Sequence, residues 1–271
     1  MRWTCAFPAL YLDLALVAES LPMMEASHDE AAGIAVAVVL CAGQGRRMGA
    51  TGNKVFLPLA GKPLLVHTLA AFARAALVDE IVLVAHPAEV AYVRAEIVTR
   101  YPLAKVAGVT AGGATRHQSE EHALAALRPR IEAGAVGIVL VHDGARPCIR
   151  PGDIDALVRV ARVYGGALLG TPVGADEVIA RIASDGTLDA IYPTDGLWRA
   201  QTPQAFAAHA LLAAYDRARC DGFDGTDTAA SYERLGRPVR MVRGHADNIK
   251  VTTPEDLIRA AAILAERARD A

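Results

Sequence analysis

Cysteine is scarce in this 271-residue chain: Cys5, Cys41, Cys148 and Cys220 are scattered, with no C-x-x-C pair among them. Reduced cytosolic thiols are the simple reading. No apolar run is long enough to span a bilayer, so no membrane partner is expected. There is no excess of basic residues either: the formal net charge is −2, which argues against nucleic acid as a partner. The histidines at 67, 86, 117, 122, 142, 209 and 245 lack metal-ligand spacing and read as packed or exposed rings. Internal repeats and low-complexity linkers are also missing.

What the chain does have is 53% hydrophobic and 21% charged residues, which suits one large α/β domain with at most a small appendage. Met1–Gly33 stands apart. Its apolar stretch Leu10–Val17 is interrupted by Asp13 and preceded only by Arg2, a poor match to a signal peptide. It reads as a disordered or weakly helical extension, or as untranslated if Met23 or Met24 is the start. A single domain is expected over 34–271.

The domain is organised around Val36–Lys54. Val36-Ala37-Val38-Val39-Leu40-Cys41 is apolar and β-branched without alternation, as in a parallel strand buried on both faces. Ala42-Gly43-Gln44-Gly45-Arg46-Arg47-Met48 follows, and Lys54 lies just beyond. Small residues at a strand end, then cations, make a polyphosphate cradle. The dinucleotide fingerprint G-x-G-x-x-G fails at Met48, and a Walker loop is absent. An ordinary glycine turn is the alternative reading.

Further along, Glu80–Ala85, Val106–Val109, Gly137–Val141 and Ala167–Thr171 read as strands. Leu64–Ala76, Ala88–Tyr101, Ala114–Leu127, Asp153–Tyr164 and Phe206–Arg219 read as helices. Such alternation implies βαβ units in a doubly wound, mostly parallel sheet, with ligands at the carboxyl ends of its strands. Two stretches fall there: Gly43–Met48 and His142-Asp143-Gly144-Ala145-Arg146-Pro147. Val178–Ile182 and Leu188–Ile191, around Ser184-Asp185-Gly186, read as a protruding β-hairpin arm over about 174–194. Asp227 or Thr226 is expected to cap a short helix. Thr253-Pro254-Glu255-Asp256 is expected to open the last one.

Four separated pieces then coincide in order: Ala42–Met48, Val141–Pro147, Gln201-Thr202-Pro203-Gln204 and Ala246-Asp247-Asn248-Ile249-Lys250-Val251-Thr252. Together they resemble the 2-C-methyl-D-erythritol 4-phosphate cytidylyltransferase family, over about 35–266. The resemblance implies a Rossmann-like nucleotidyltransferase fold. It also implies transfer of a cytidylyl group from CTP to a polyol phosphate, a divalent cation (Mg²⁺) held mainly by the CTP phosphates, and a homodimer joined through the arm. It casts Arg47 and Lys54 as transition-state cations. Ala42, Gly43, Gly45, Gly113, Ser119 and Asp143 become nucleotide contacts. Arg146, Arg181, Thr226 and Lys250 fall on the substrate side. Beside these stand plainer readings: Arg46 as a structural neighbour of Arg47, Asp143 as a strand-end brace, Lys250 as a surface charge, Trp198 as packing, and Arg116 as either phosphate-facing or solvated.

The departures from the family pattern fall mostly on the acceptor side. Aligned on Asp176, the arm's basic position falls on Ala180, and Arg181 is one residue late, which on a strand reverses the face unless a bulge intervenes. Ile191-Tyr192-Pro193-Thr194 and Ala114 also differ from the pattern. A related acceptor such as ribitol 5-phosphate is therefore the alternative to 2-C-methyl-D-erythritol 4-phosphate.

Overall fold

The computed structural model describes residues 32–43 and 52–269. The expectation for the N-terminal extension falls almost wholly on 1–31, outside the described residues. At its junction with the domain, Gly33 has φ of +105°. A Cβ there would lie 2.8 Å from the Gly134 carbonyl oxygen, so the turn into the first strand requires glycine.

β1 (Ile34–Cys41) leads, past the undescribed residues 44–51 and a 3-10 turn at Lys54–Phe56, to a minimal hairpin of β2 (Pro58–Leu59) and β3 (Lys62–Pro63). Next come α1 (Leu64–Arg74), β4 (Glu80–Ala85), α2 (Val90–Tyr92), β5 (Val106–Ala111), α3 (Arg116–Glu132), β6 (Val136–Asp143), α4 (Pro151–Tyr164) and β7 (Gly166–Pro172). The arm is β8 (Ile179–Ile182) and β9 (Leu188–Tyr192). The chain continues through β10 (Trp198–Ala207), α5 (Ala208–Cys220), α6 (Thr228–Glu233), β11 (Arg240–Arg243) and α7 (Pro254–Arg269).

The main sheet has seven strands in the order β11-β7-β10-β6-β1-β4-β5. β1 pairs in parallel with β4 and β6, and β10 runs antiparallel to both β6 and β7. Successive residues of β1 point to opposite faces, so its uninterrupted apolar run serves two cores. Ala35, Ala37, Val39 and Cys41 pack in the layer under α1 and α4. Val36 and Val38 pack in the layer under α3, α5 and α6. The sheet is thus covered on both faces, as the sequence pattern predicts.

Two expectations need correcting. Phe206 lies in β10, not in a helix, paired with Val139 on one side and Gly166 on the other. The polar run Gln201–Gln204 carries no strand pattern of its own. The run lies at a register break of β10 in which only Gln204 pairs with both β6 and β7; the pairing of the residues around it draws the chain into the sheet, and tertiary context overrides local propensity. The helix expected over 88–101 is instead a 3-10 turn, one α turn and a π segment over Val93–Thr99, with Val93 and Ile97 facing the core.

The remaining caps follow the sequence. Gly165 ends α4 in the left-handed region at φ +81°. Asp227, rather than Thr226, caps α6 by accepting from the Ala230 N–H at 2.9 Å. At the start of α7 the Asp256 carboxylate accepts from the Thr253 N–H at 2.9 Å, while the Thr253 hydroxyl accepts from the Asp256 N–H at 3.3 Å. That reciprocal pair is a capping box.

The arm forms its own two-stranded sheet around Gly186, whose φ is +87°. Its apolar residues are turned outward: Val178 is 70% exposed, Ile182 55%, Leu188 54% and Ile191 62%.

Phe72 of α1 is fully buried, and its ring lies 4.9 Å from that of His142 on β6. Phe72→Ala should cost about 3–5 kcal/mol in urea unfolding, from lost burial plus the cavity left behind. A loss below about 1 kcal/mol would mean that this layer is not the packed core described.

Candidate active site

In a doubly wound sheet the strand order reverses at one point, and a crevice opens outside the carboxyl ends of the strands there. Here that point lies between β1 and β6. The two strand ends are tied by the Gly144 N–H donating to the Leu40 carbonyl at 2.8 Å. A cavity of about 600 Å³ opens above them.

One wall is the turn after β1. Asn53 is buried, and its side-chain amide donates to the Cys41 carbonyl at 2.5 Å and to Glu89 Oε2 at 2.9 Å. Its Oδ1 accepts from the Val55 N–H, capping the 3-10 turn that begins at Lys54. Asn53 thereby fixes where Lys54 leaves the backbone, and both line the cavity. A second wall is the glycine pair after β5. A Cβ on Gly113 would sit 2.4 Å from the Gln118 side chain, so the backbone can make this approach only as glycine. The Gly113 N–H donates to Ser119 Oγ at 3.1 Å, and Ser119 in turn donates to the Thr115 carbonyl at 2.9 Å.

The floor is electrostatic. Asp143, at the last position of β6, is 7% exposed. Arg116 Nη1 donates to its Oδ1, Lys250 Nζ lies 2.8 Å from Oδ2, and Arg146 Nε lies 3.7 Å from Oδ2. Burial alone would push this carboxyl up. The charges of Arg116, Lys250 and Arg146 outweigh it and hold Asp143 well below the usual carboxylate range. Beneath it, the Thr202 hydroxyl accepts from the Asp143 N–H at 3.1 Å and meets His142 Nδ1 at 3.1 Å. His142 is fully buried, which lowers its pKa to about 3 and keeps the ring neutral. The segment bearing Lys250 is fastened from below. Asn248 donates to Gln201 Oε1 and the Thr202 carbonyl at 3.1 and 2.9 Å, and Arg146 donates to the Asn248 carbonyl at 2.7 Å.

Ala42, Gly43, Lys54, Gly113, Ser119, Asp143 and Lys250, widely spread in sequence, meet at this cavity. Arg146 sits beneath it, bonded to the Lys250 segment. Thr226 is exposed on the turn before α6, outside the cavity lining; that turn approaches the cavity through Thr115 Oγ1, 3.5 Å from Asp224. Arg181 is on the arm, where its guanidinium pairs with Asp189 and lies 5.7 Å from the Tyr192 ring centroid. The register irregularity in the arm follows Arg181 and places the extra residue, Asp189, on the opposite strand. Gly45 and Arg47 lie outside the described residues. Asn53 is absent from the sequence reading of the site, although an Asx residue opening a turn is a signal for it. Of the two readings of Arg116, the structure places it in the lining of the cavity.

Among the described residues, no group of three or more His, Cys, Asp or Glu side chains could hold a metal ion. The donor set is one ionised carboxylate, Asp143, beside space for a polyphosphate. That fits a divalent cation bound through a single carboxylate, phosphate oxygens and water, rather than a protein cage.

Comparison with known proteins agrees with this architecture. A solved structure from Anaerococcus prevotii, described as 4-diphosphocytidyl-2C-methyl-D-erythritol synthase, superposes with a TM-score of 0.72 at 28% identity, covering 86% of this chain and 99% of that one. A Thermus thermophilus structure of 2-C-methyl-D-erythritol 4-phosphate cytidylyltransferase does so with a TM-score of 0.67 at 32% identity, covering 86% and 100%. Fold and site together define a nucleotidyltransferase. In sequence, 2-C-methyl-D-erythritol 4-phosphate cytidylyltransferase of Pelotomaculum thermopropionicum is 42% identical over 231 residues, 85% of this chain and 94% of that protein. The family model for 2-C-methyl-D-erythritol 4-phosphate cytidylyltransferase matches residues 35–266, and the chain belongs to that family.

The charge cluster has a pH signature. A carboxyl whose pKa is depressed on folding stabilises the protein above its unfolded value, near 3.9, and loses that contribution as pH falls toward the folded value. Asp143→Asn should therefore be less stable than wild type at pH 7, because Arg116, Arg146 and Lys250 lose their shared anion. The gap should narrow as pH drops below about 4, where Asp143 of the unfolded wild type takes up a proton while the folded carboxylate stays charged. Urea titrations across that range measure both limbs; a gap independent of pH would contradict the cluster.

Proposed function

We propose that this chain transfers the cytidylyl group of CTP to 2-C-methyl-D-erythritol 4-phosphate, giving 4-CDP-2-C-methyl-D-erythritol and pyrophosphate. The observation that carries the reading is Asp143, clamped by Lys250 and Arg116 at the switch point of a sheet whose sequence matches the family over 35–266.

In this reading an acceptor phosphate oxygen attacks the α-phosphorus of CTP. The new P–O bond forms as the bond to the bridging oxygen of the leaving pyrophosphate breaks. Such transfers need little covalent help from the protein; positioning and stabilisation of phosphate charge do the catalysis. Ala42 and Gly43 present backbone to the nucleotide, and Gly113 with Ser119 forms the opposite wall. Lys54, held at its root by Asn53, stabilises charge on the reacting phosphates, and Arg47 is assigned the same task. Lys250 serves the acceptor phosphate as a point charge, and we assign Thr226 to that side as well. Arg146 supports the Lys250 segment. A Mg²⁺ or similar ion, when bound beside Asp143, supplies further neutralisation of the phosphates.

We also assign the functional unit to a homodimer in the cytoplasm. A lone two-stranded hairpin is marginal in water, so the outward apolar residues of the arm need a covering surface. A twofold-related copy supplies one. Arg181 is the arm cation assigned to the acceptor phosphate, and to reach it the guanidinium must leave Asp189.

A pyrophosphate-release assay with CTP, UTP, ATP and GTP, crossed with a panel of polyol phosphates, tests the function. Turnover should require CTP and be fastest with 2-C-methyl-D-erythritol 4-phosphate. A site built to pair the cytosine amino group leaves buried groups unpaired when UTP enters, and so rejects it strongly. Comparable kcat/KM for CTP and UTP would sink the nucleotide assignment. Faster turnover with ribitol 5-phosphate would replace the acceptor.

Lys54→Ala should lower kcat by a factor of about 100–1000, the usual cost of removing one preorganised electrostatic stabiliser. Turnover within about threefold of wild type in a folded variant would remove Lys54 from the chemistry.

A further inference from the structure

Behind the cavity lies a buried carboxylate that the mechanism above does not use. Glu120, one turn after Arg116 on α3, is 2% exposed. Its Oε1 lies 2.9 Å from Arg116 Nε and accepts from the Thr228 hydroxyl at 3.1 Å. The Tyr215 hydroxyl donates to Oε2. Three elements therefore converge on this one side chain: α3 through Arg116, α5 through Tyr215 and α6 through Thr228. Tyr215 is in turn stacked on His117, with ring centroids 4.6 Å apart and planes 14° apart, so the phenol has little freedom to turn.

An ionisable group buried this deeply is costly unless it is paired and hydrogen-bonded. Burial pushes the Glu120 carboxyl up, against the opposing pull of Arg116, Tyr215 and Thr228. A carboxylate used only for packing would be replaced without loss by an apolar side chain. This one instead forms an ion pair with Arg116 on the Nε side while Nη1 of the same guanidinium donates to Asp143. The guanidinium is planar and its donors are fixed relative to one another, so holding Nε sets where Nη1 points.

We propose that Glu120 is a positioning residue for the nucleotide site: it orients Arg116 toward Asp143 and thereby shapes the floor on which CTP binds. Through Thr228 it also fastens α6, and with it the Thr226 turn, to the nucleotide side of the cavity. The inference rests on the CTP-dependent reading of the site.

The test is a double-mutant cycle on Arg116→Ala and Glu120→Gln, reading KM for CTP, kcat, and CTP affinity by calorimetry. Glu120→Gln keeps the shape and removes the charge. Disturbing the hydrogen bond from Arg116 to Asp143, a bond between charged groups, corresponds to roughly a tenfold to hundredfold change. KM and Kd for CTP should rise by about that factor, with kcat changed by less than about threefold. The double variant should be no weaker for CTP than Arg116→Ala alone, because Glu120 acts through Arg116. Additive losses, or unchanged CTP affinity in Glu120→Gln, would overturn the proposal. If Glu120→Gln does not fold, Tyr215→Phe removes one bond to the carboxylate and keeps the ring; it should shift CTP affinity a few-fold in the same direction, and no shift would overturn the proposal. Wild-type protein without CTP-dependent pyrophosphate release would instead refute the functional reading, and calorimetry would still score the effect of Glu120 on CTP binding.

Discussion

The arrangement depends on one buried negative charge. Asp143 ends the strand next to β1, and the cations that meet it come from α3, from the loop after β6, and from the segment before α7. Removing a carboxylate from water is expensive, and it is tolerable here because three opposite charges surround it. The balance works in both directions. The anion stops the guanidiniums and the ammonium from repelling one another, and so keeps positive charge concentrated beside the cavity. A polyphosphate entering that cavity meets cations already ordered, and their reorganisation cost falls on folding rather than on binding.

The same charge links parts of the fold that the sheet leaves separate. Asn248 is held by Gln201 and Thr202 of β10, and Thr202 also accepts from the Asp143 backbone. The antiparallel strand thus braces both the anion and the segment carrying one of its cations. This gives the polar run Gln201–Gln204 a physical reason to sit in the middle of a sheet, between two strands that are almost wholly apolar.

What could be read from the sequence follows from how local each signal is. β1, β4 and β6 are legible because strands buried on both faces need unbroken apolar runs, and the arm because Asp185-Gly186 supplies the turn residues it needs. Ala42 and Gly43 are legible as cavity residues from the small-residue turn that ends β1, and Asp143 from its place at a strand end. β10 is not legible, since its conformation is dictated by neighbours distant in sequence. Nor is Glu120: on a polar helix a glutamate reads as solvated, and only the folded chain sets Tyr215 and Thr228 against it. Lys250 is an ordinary lysine by composition, and only the four motifs taken together single it out.

The distance along the chain between Asp143 and Lys250 has a consequence for synthesis. A ribosome adding roughly 5–20 residues per second would produce position 250 roughly 5–20 s after position 143. During that interval Arg116 and Arg146 are the only two of the three cations already made. The seven-stranded sheet also lacks β11 until late, because that strand pairs with β7 from the far edge. A nascent chain therefore contains β1, β4, β5 and β6 while Asp143 still lacks one of its three cations, and the charge cluster is completed only late in translation.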